Sequence, residues 1–497
     1  MLRTDLFRQA LPMVAPILVV AGTSLQHLNA VNVPSAPGAV VNGGSITGPS
    51  SSQAPYLVRT ESGVVTVVIL TTGDSVNLKP DGVTPYRMVG IPDGLGAFDN
   101  GDGTFTLLMN HEIPGNGIVR EHGFKGAFVS RWIIEKATLR VLHGEDLMKH
   151  AYSWDTTTNA YVPVANVFSR FCSADLPVLS GFYNAATGLG YNGRIYMNGE
   201  ESGVEGRAMA HLQDGNSFEL PWLGKMSFEN SVTHPNTGDK TVVIGLDDSG
   251  GGQLYIYVGQ KSSASHPIAA AGLIGGTLSG LKVTGVLQED PDTGIPAGTP
   301  FTLVNFGDVS TWKGSLLNSN SIAAEVTGFN RPEDGCWDPV NQNDFYFVTT
   351  ASFTGNSRLW RLRFADASNP AAGGTITMLL NGTEGIKMMD NITVTKRGRV
   401  IICEDVGGNP HIGKVWSYGI DTGSLEMILQ HDPARFSDPS LSGFLTQDEE
   451  SSGVIPVDDI LGEGWLLIDV QAHYGTDAEL VEGGQLLAVR VPAGRQK

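Results

Sequence analysis

Arg331 and Glu333 stand on either side of Pro332 in the stretch Phe329-Asn330-Arg331-Pro332-Glu333-Asp334-Gly335-Cys336-Trp337-Asp338. The proline fixes its own φ, so a cation and a carboxylate are presented together with little conformational freedom left to lose. Such a pair suits a phosphate held next to a metal ion. The same three residues would also serve as a water-facing turn. The choice between the two rests on what else the chain brings to this place.

Carboxylates recur at the ends of short apolar segments. They occur in Asn110-His111-Glu112, Asn198-Gly199-Glu200-Glu201, Asp247-Asp248 and Glu404-Asp405, and Gln471-Ala472-His473 has the same setting. The segments share one plan: an apolar strand ending in acidic or amide residues, a Gly/Ser-rich loop, then a second strand with aromatics. Copies run from Leu107 to Glu112, Ile195 to Glu201, Val242 to Asp248, Phe345 to Thr350, Val400 to Asp405 and Trp465 to His473. Six copies predict an all-β chain, a six-bladed β-propeller with long inter-strand insertions. A sandwich or a solenoid shares the strand density but does not bring six strand ends to one axis.

In a propeller, equivalent strand ends converge on one mouth of the central channel, which makes these residues a ring of carboxylates. Like charges at that spacing raise one another's pKa unless cations neutralise them, and calcium, with six to eight oxygen ligands, is the natural partner. Asp247 and Asp405 enter the candidate metal set on this ground, as do Glu112, Glu200, Glu201 and Asp248. Single acidic pairs that merely cap strands are common, but several at one register of a repeat are not.

Sixty-three glycines and 26 prolines among 497 residues, without a collagen-like period, fit many short strands and turns. The formal net charge of -19 repels nucleic acid, and nucleic-acid binding is set aside. Residues 1–21 carry an apolar run of signal-peptide length, too short to span a bilayer, and predict export to the periplasm or beyond. Residues 22–55 read as a linker or extended arm, and 56–497 as one propeller domain. No second apolar stretch is long enough for a membrane anchor. The cysteines Cys172, Cys336 and Cys403 have no C-x-x-C spacing, which gives neither a disulfide framework nor a thiolate zinc site.

Other motifs fail on context. Gly188-Leu189-Gly190-Tyr191-Asn192-Gly193 matches a dinucleotide pattern but precedes a strand. Asp99 to Thr104 resembles a calcium loop, yet Gly101 stands where a ligand is needed, so a hairpin turn is expected. There is no H-E-x-x-H helix, G-x-S-x-G elbow or P-loop. Trp312, Trp337, Trp360 and Trp416 read as blade core.

Taken together, Asn110-His111-Glu112, Glu200-Glu201, Phe228-Glu229-Asn230 with Gly245-Leu246-Asp247-Asp248, Phe329 to Glu333, and Glu404-Asp405 resemble the PhoX-type alkaline phosphatases. These are secreted six-bladed propellers that hydrolyse phosphomonoesters with calcium and iron. The resemblance implies that Glu201, Glu229, Asp248 and Glu333, with Glu112 and Glu200, are metal ligands, and that Arg331 holds the phosphate of a small phosphorylated substrate. It also implies several Ca2+ ions. In that family a cysteine immediately precedes the paired glutamates and serves the iron centre. Here Gly199 takes its place and no twin-arginine signal is present, departures that favour calcium over iron. The expectation is a metal-dependent phosphoric ester hydrolase with Arg331 and Glu333 at the chemistry. The alternatives are a non-catalytic calcium-stabilised propeller that binds a partner or surface, and another propeller hydrolase of lactonase or phytase type. The segments from Glu135 to Pro177 and from Gly259 to Thr299 are expected as long loops that shape the rim.

Overall fold

Apolar runs such as Val242 to Leu246 and Phe345 to Val348 are buried on both faces, as strands packed between two neighbouring sheets must be. The computed structural model describes residues 44–492. The proposed signal segment, and the arm up to residue 43, lie outside the described residues.

Five mainly antiparallel sheets of four to nine strands stand around one axis, and the nine-stranded one holds two blades joined where Thr299–Gly307 pairs with Gly374–Leu380, which makes six blades. Each blade begins with an innermost strand followed by a more apolar partner. The pairs are β1 (Pro92–Asp99) with β2 (Thr104–His111), β3 (Phe171–Asp175) with β4 (Ile195–Glu200), and β5 (Phe228–Thr233) with β6 (Lys240–Asp247). The remaining pairs are β7 (Pro332–Trp337) with β8 (Asp344–Thr349), β9 (Met389–Thr395) with β10 (Arg399–Glu404), and β11 (Glu449–Pro456) with β12 (Trp465–Gly475). Each inner strand packs on the next, and β11 packs back on β1, which closes the ring. The fold is thus a six-bladed β-propeller, as the repeats predict.

Six apolar cores fill the six spaces between blades. Val242 and Ile244 of β6 face Phe345 and Phe347 of β8 in one of them, while Val243 between them enters the core shared with blade two. This division follows from the two-residue period of a strand. Each fully buried Phe, Ile or Leu contributes about 1.5–3 kcal/mol, so every blade is held from both sides. Trp337 and Trp360 lie in the core between blades three and four, and Trp312 and Trp416 pack against their neighbouring cores.

A strand from before the first blade completes the last one. Val65–Thr71 pairs antiparallel with the C-terminal strand Glu482–Arg490, completing blade six, and Ser45–Thr47 adds a parallel strand outside it. Leu57–Arg59 pairs with Leu425–His431 of blade five. Strand pairing therefore reaches upstream of Tyr56, into the stretch read as an arm. The segments expected as rim loops also carry structure. Val141–Asp146, His150–Asp155 and Ala160–Pro163 are strands, and the second segment holds the short helix Pro267–Ala270 and the strand Thr277–Val283. Asn100 to Gly103 forms the expected hairpin turn between β1 and β2.

Candidate metal centre at the channel mouth

The second residue of each inner strand is Asp93, Cys172, Glu229, Glu333, Asp390 or Glu450, and all six line one cavity of about 290 Å³ at a mouth of the channel. Five of these are acids and one is a thiol. A second tier comes from the residue just past the second strand in blades one, two, three and five: Glu112, Glu201, Asp248 and Asp405. The strand ends singled out in the sequence belong to these second strands. The innermost strands precede them, being shorter in apolar pattern because they face a polar channel.

Of the residues named from sequence, Arg331, Glu112, Glu201, Glu229, Asp248, Glu333 and Asp405 are brought to this mouth. Glu200 and Asp247 are not. Successive residues of a strand point to opposite faces, so each turns away from the neighbour that reaches the cavity. Glu200 accepts hydrogen bonds from Arg207 Nη2 and the Ser169 amide, both at 3.0 Å, and Asp247 accepts one from the Ser227 amide at 3.2 Å.

Gly199 does not face the mouth either. A Cβ built there would lie 2.3 Å from Phe228 Cβ, inside the blade. The thiol at the mouth is Cys172 instead, from the adjacent β3, with its Sγ 3.3 Å from Glu201 Oε2. Sequence reading passed over Cys172, Asp93, Asp390 and Glu450. Their signal is a short motif of one residue, then an acid or thiol, then a small or amide residue, as in Phe171-Cys172-Ser173, Phe228-Glu229-Asn230 and Met389-Asp390-Asn391. Of the two segments expected to shape the rim, the first supplies Arg170 and Cys172 and the second supplies nothing to this cavity.

Backbone strain marks the same place. Ile91, Arg170, Arg331 and Met388 each immediately precede an inner strand and have φ of 49°, 53°, 63° and 46°. A side chain in this left-handed region costs about 1–2 kcal/mol, and such strain concentrates at functional sites. Arg331 is nonetheless held firmly. Its Nε and Nη2 donate to the two oxygens of Asp248 at 2.9 and 2.7 Å, and Nη2 also donates to Glu333 Oε1 at 3.0 Å. Arg170 mirrors it, with Nε donating to Glu112 Oε1 at 2.7 Å and Nη2 paired with Glu201.

Eleven carboxylates and one thiol line the cavity against two arginines and His473. Burial, followed by repulsion from Glu201, holds the Glu229 carboxyl well above the ordinary range, and burial with repulsion from Asp248 does the same to Glu333. Asp390 and Asp93 are raised by burial and by Glu450 and Glu112 respectively. Asp405 is pushed up to about 7 by burial and Glu450. Glu201 is pushed up to about 8 by burial, against the opposing pull of Arg170. Burial would depress the His473 imidazole, but hydrogen bonding to Glu450 and Glu482 outweighs it and raises it to about 11.

The donor set fits metal ions. Ligand atoms lie within 4.8 Å of one another in four overlapping groups: Asp93–Glu112–Cys172, Cys172–Glu201–Glu229, Glu229–Glu333–Asp390 and Asp390–Asp405–Glu450. Gln471 Oε1, buried at the same cavity, has no hydrogen-bond donor and is a further oxygen for a cation. The all-oxygen end suits a hard cation such as calcium, and the groups sharing Cys172 suit a softer transition metal.

No protein-family model and no curated protein matches the sequence. Among solved structures, PhoX of Pseudomonas fluorescens, in complex with vanadate as a transition state analogue, superposes with a TM-score of 0.64 at 11% identity. That match covers 88% of this chain and 96% of the other. A gluconolactonase from Xanthomonas campestris matches with a TM-score of 0.36 at 9% identity, over 91% of this chain and 99% of that one. A 6-phosphogluconolactonase of Bacteroides uniformis, described as putative, matches with a TM-score of 0.33 at 11% identity, over 69% and 86%. At these identities the likeness to PhoX is one of fold: this chain has the propeller architecture of that phosphatase.

Proposed function

We propose that this protein is a metal-dependent phosphatase that hydrolyses phosphate monoesters at the channel mouth. The observation that carries the reading is the Arg331 guanidinium, fixed by Asp248 and Glu333 at the edge of four contiguous groups of metal-ligating atoms. An immobilised cation fork beside clustered metal positions is suited to stabilising the charge on a transferring phosphoryl group. Vanadate bound to the PhoX of like fold supports the same class of reaction.

In this reading Cys172, Glu201, Glu229, Glu333, Asp390, Asp405 and Glu450 hold the metals, with calcium at the oxygen end and iron at the thiol end. Metals bound there supply Lewis acidity that neutralises phosphate oxygens and activates the attacking oxygen. Asp248 and Glu333 keep the Arg331 fork from swinging, and the two N–H groups of its Nη1, which make no hydrogen bond among the described residues, remain for the phosphoryl oxygens. With Gly199 facing Phe228 and a thiol supplied by Cys172, position 199 no longer argues for a non-catalytic propeller. Four groups also favour several metals over the single calcium of a lactonase- or phytase-type site. Export through residues 1–21 is part of the proposal. Among the described residues no helix is long and apolar enough to cross a membrane.

The test is release of inorganic phosphate from an aryl phosphate, with elemental analysis of protein purified without chelator. Turnover with calcium and a transition metal bound is expected. No release from neutral to strongly alkaline pH, with both metals restored, would overturn the reading.

A further inference from the structure

The residue before each inner strand occupies an equivalent place in all six blades, and these residues are Ile91, Arg170, Ser227, Arg331, Met388 and Asp448. Four of them have positive φ, and two of those four are the apolar Ile91 and Met388. The backbone turn therefore does not call for arginine. Yet arginines occupy the position in blades two and four, on either side of blade three. Both line the same cavity and both are partly exposed, with side chains 43% and 37% accessible. Each is fixed in one way: Nε and Nη2 are engaged by two carboxylates, Glu112 and Glu201 for Arg170, Asp248 and Glu333 for Arg331. In each, the two N–H groups of Nη1 make no hydrogen bond among the described residues.

An arginine whose role is only to neutralise carboxylates does not need an immobilised fork at an open cavity. Arg207, outside the mouth, has that simpler role: its Nε and Nη2 are likewise held by Glu200, but its side chain is only 13% accessible and Nη2 also caps the Val167 carbonyl at 3.1 Å. The anchored, half-exposed pair is instead a preorganised anion site, in which ordering cost is met by the fold before ligand arrives. Resting on the phosphatase reading, we infer that Arg170 is a second phosphate-binding residue. It grips one oxygen of the tetrahedral dianion while Arg331 grips another, the two arms closing over the phosphoryl group from blades two and four.

The experiment measures binding of inorganic phosphate by calorimetry to the metal-loaded full chain, together with metal content by elemental analysis. The proteins compared are the parent, Arg170→Lys, Arg331→Lys and Arg207→Lys. Lysine keeps the charge that balances the neighbouring carboxylates but loses the planar fork. The expected result is phosphate affinity weakened about tenfold or more in Arg170→Lys, as in Arg331→Lys, with metal content equal to the parent and Arg207→Lys unaffected. Arg170→Gln, which keeps two N–H donors on a shorter, uncharged side chain, serves if the lysine variant is poorly folded and is expected to lose affinity at least as far. Parent-like phosphate affinity in a folded Arg170 variant, with Arg331→Lys impaired, would overturn the inference and leave the phosphatase reading standing. Reduced metal content with unchanged affinity per metal-loaded molecule would also overturn it, assigning Arg170 to charge balance. A parent that holds its metals but binds no phosphate would overturn both.

Discussion

Glu333 is the residue on which anion and metal chemistry meet, because its carboxylate belongs to a group with Glu229 and Asp390 and also accepts from Arg331. Glu333→Gln keeps shape and one oxygen but removes the charge a hard cation requires. Metal content and turnover should fall together, at any substrate concentration. Arg331→Lys should lower kcat/KM by about tenfold or more while metal content stays at the parent level. Parent-like values for both would detach this stretch from the site. Cys172→Ser exchanges the soft donor for a hard one, so transition-metal content should fall while calcium content holds. Equal loss of both metals would instead mean that the thiol supports the fold of the mouth. Arg331 and Glu333 were legible in the sequence because a proline fixes them next to each other. Arg170 was not, since an isolated arginine carries no pattern until the ring brings it beside Glu112 and Glu201, and the three-residue motif around Cys172 is too short to stand out without its five counterparts.

Inner strands do the positioning, and each contains an irregularity in its pairing. The register shifts between Asp93 and Leu95, Phe171 and Ala174, Phe228 and Asn230, Pro332 and Gly335, Met389 and Ile392, and Ser452 and Ile455. A bulge breaks strict alternation, so consecutive residues share the channel side. Glu229 lines the mouth while Asn230 lines a second cavity of about 460 Å³, and Glu333 and Asp334 divide in the same way. These strands escaped the sequence reading for the same reason they work: period-two apolar patterning is absent where a strand faces a polar channel and bulges. The second strands, with two buried faces, stand out as apolar runs, and this sets the legible repeat one strand away from the axis. Position 199 lies on such a second strand. Gly199→Cys should therefore place its side chain against Phe228 and cost about 1–3 kcal/mol through overpacking, with no gain in metal content. A more stable variant, or one that binds additional iron, would show that the side chain reaches the mouth after all.

At the scale of the whole molecule, the propeller concentrates the chain's surplus of acid on its own axis. The closure by Val65–Thr71 against Glu482–Arg490 ties the first and last blade-forming strands of the described residues together around a ring whose members repel one another. Six repeats and a net charge of -19 made the architecture and its need for cations readable from sequence, whereas the pairing across the chain ends depends on contacts that no local pattern records. Binding of cations to the folded state alone stabilises it by about 3 kcal/mol at a hundredfold excess over Kd, so a chelator should lower Tm. The chelated protein should also respond to pH in a defined direction. Asp405 and Glu201 titrate at about 7 and about 8 in the fold, against about 4 in an unfolded chain. Between those limits the folded state holds more protons than the unfolded one, and stability falls as pH rises through the window. Calcium should flatten that slope, because a bound cation takes over the work of the protons. Thermal melts of chelated and calcium-loaded protein from about pH 6.5 to about pH 8, above the range in which the buried His111, His122, His211 and His431 take up protons on unfolding, would settle it: a chelated Tm that rises with pH, or one that calcium leaves unchanged, would mean that these carboxylates are not a mutually repelling cluster.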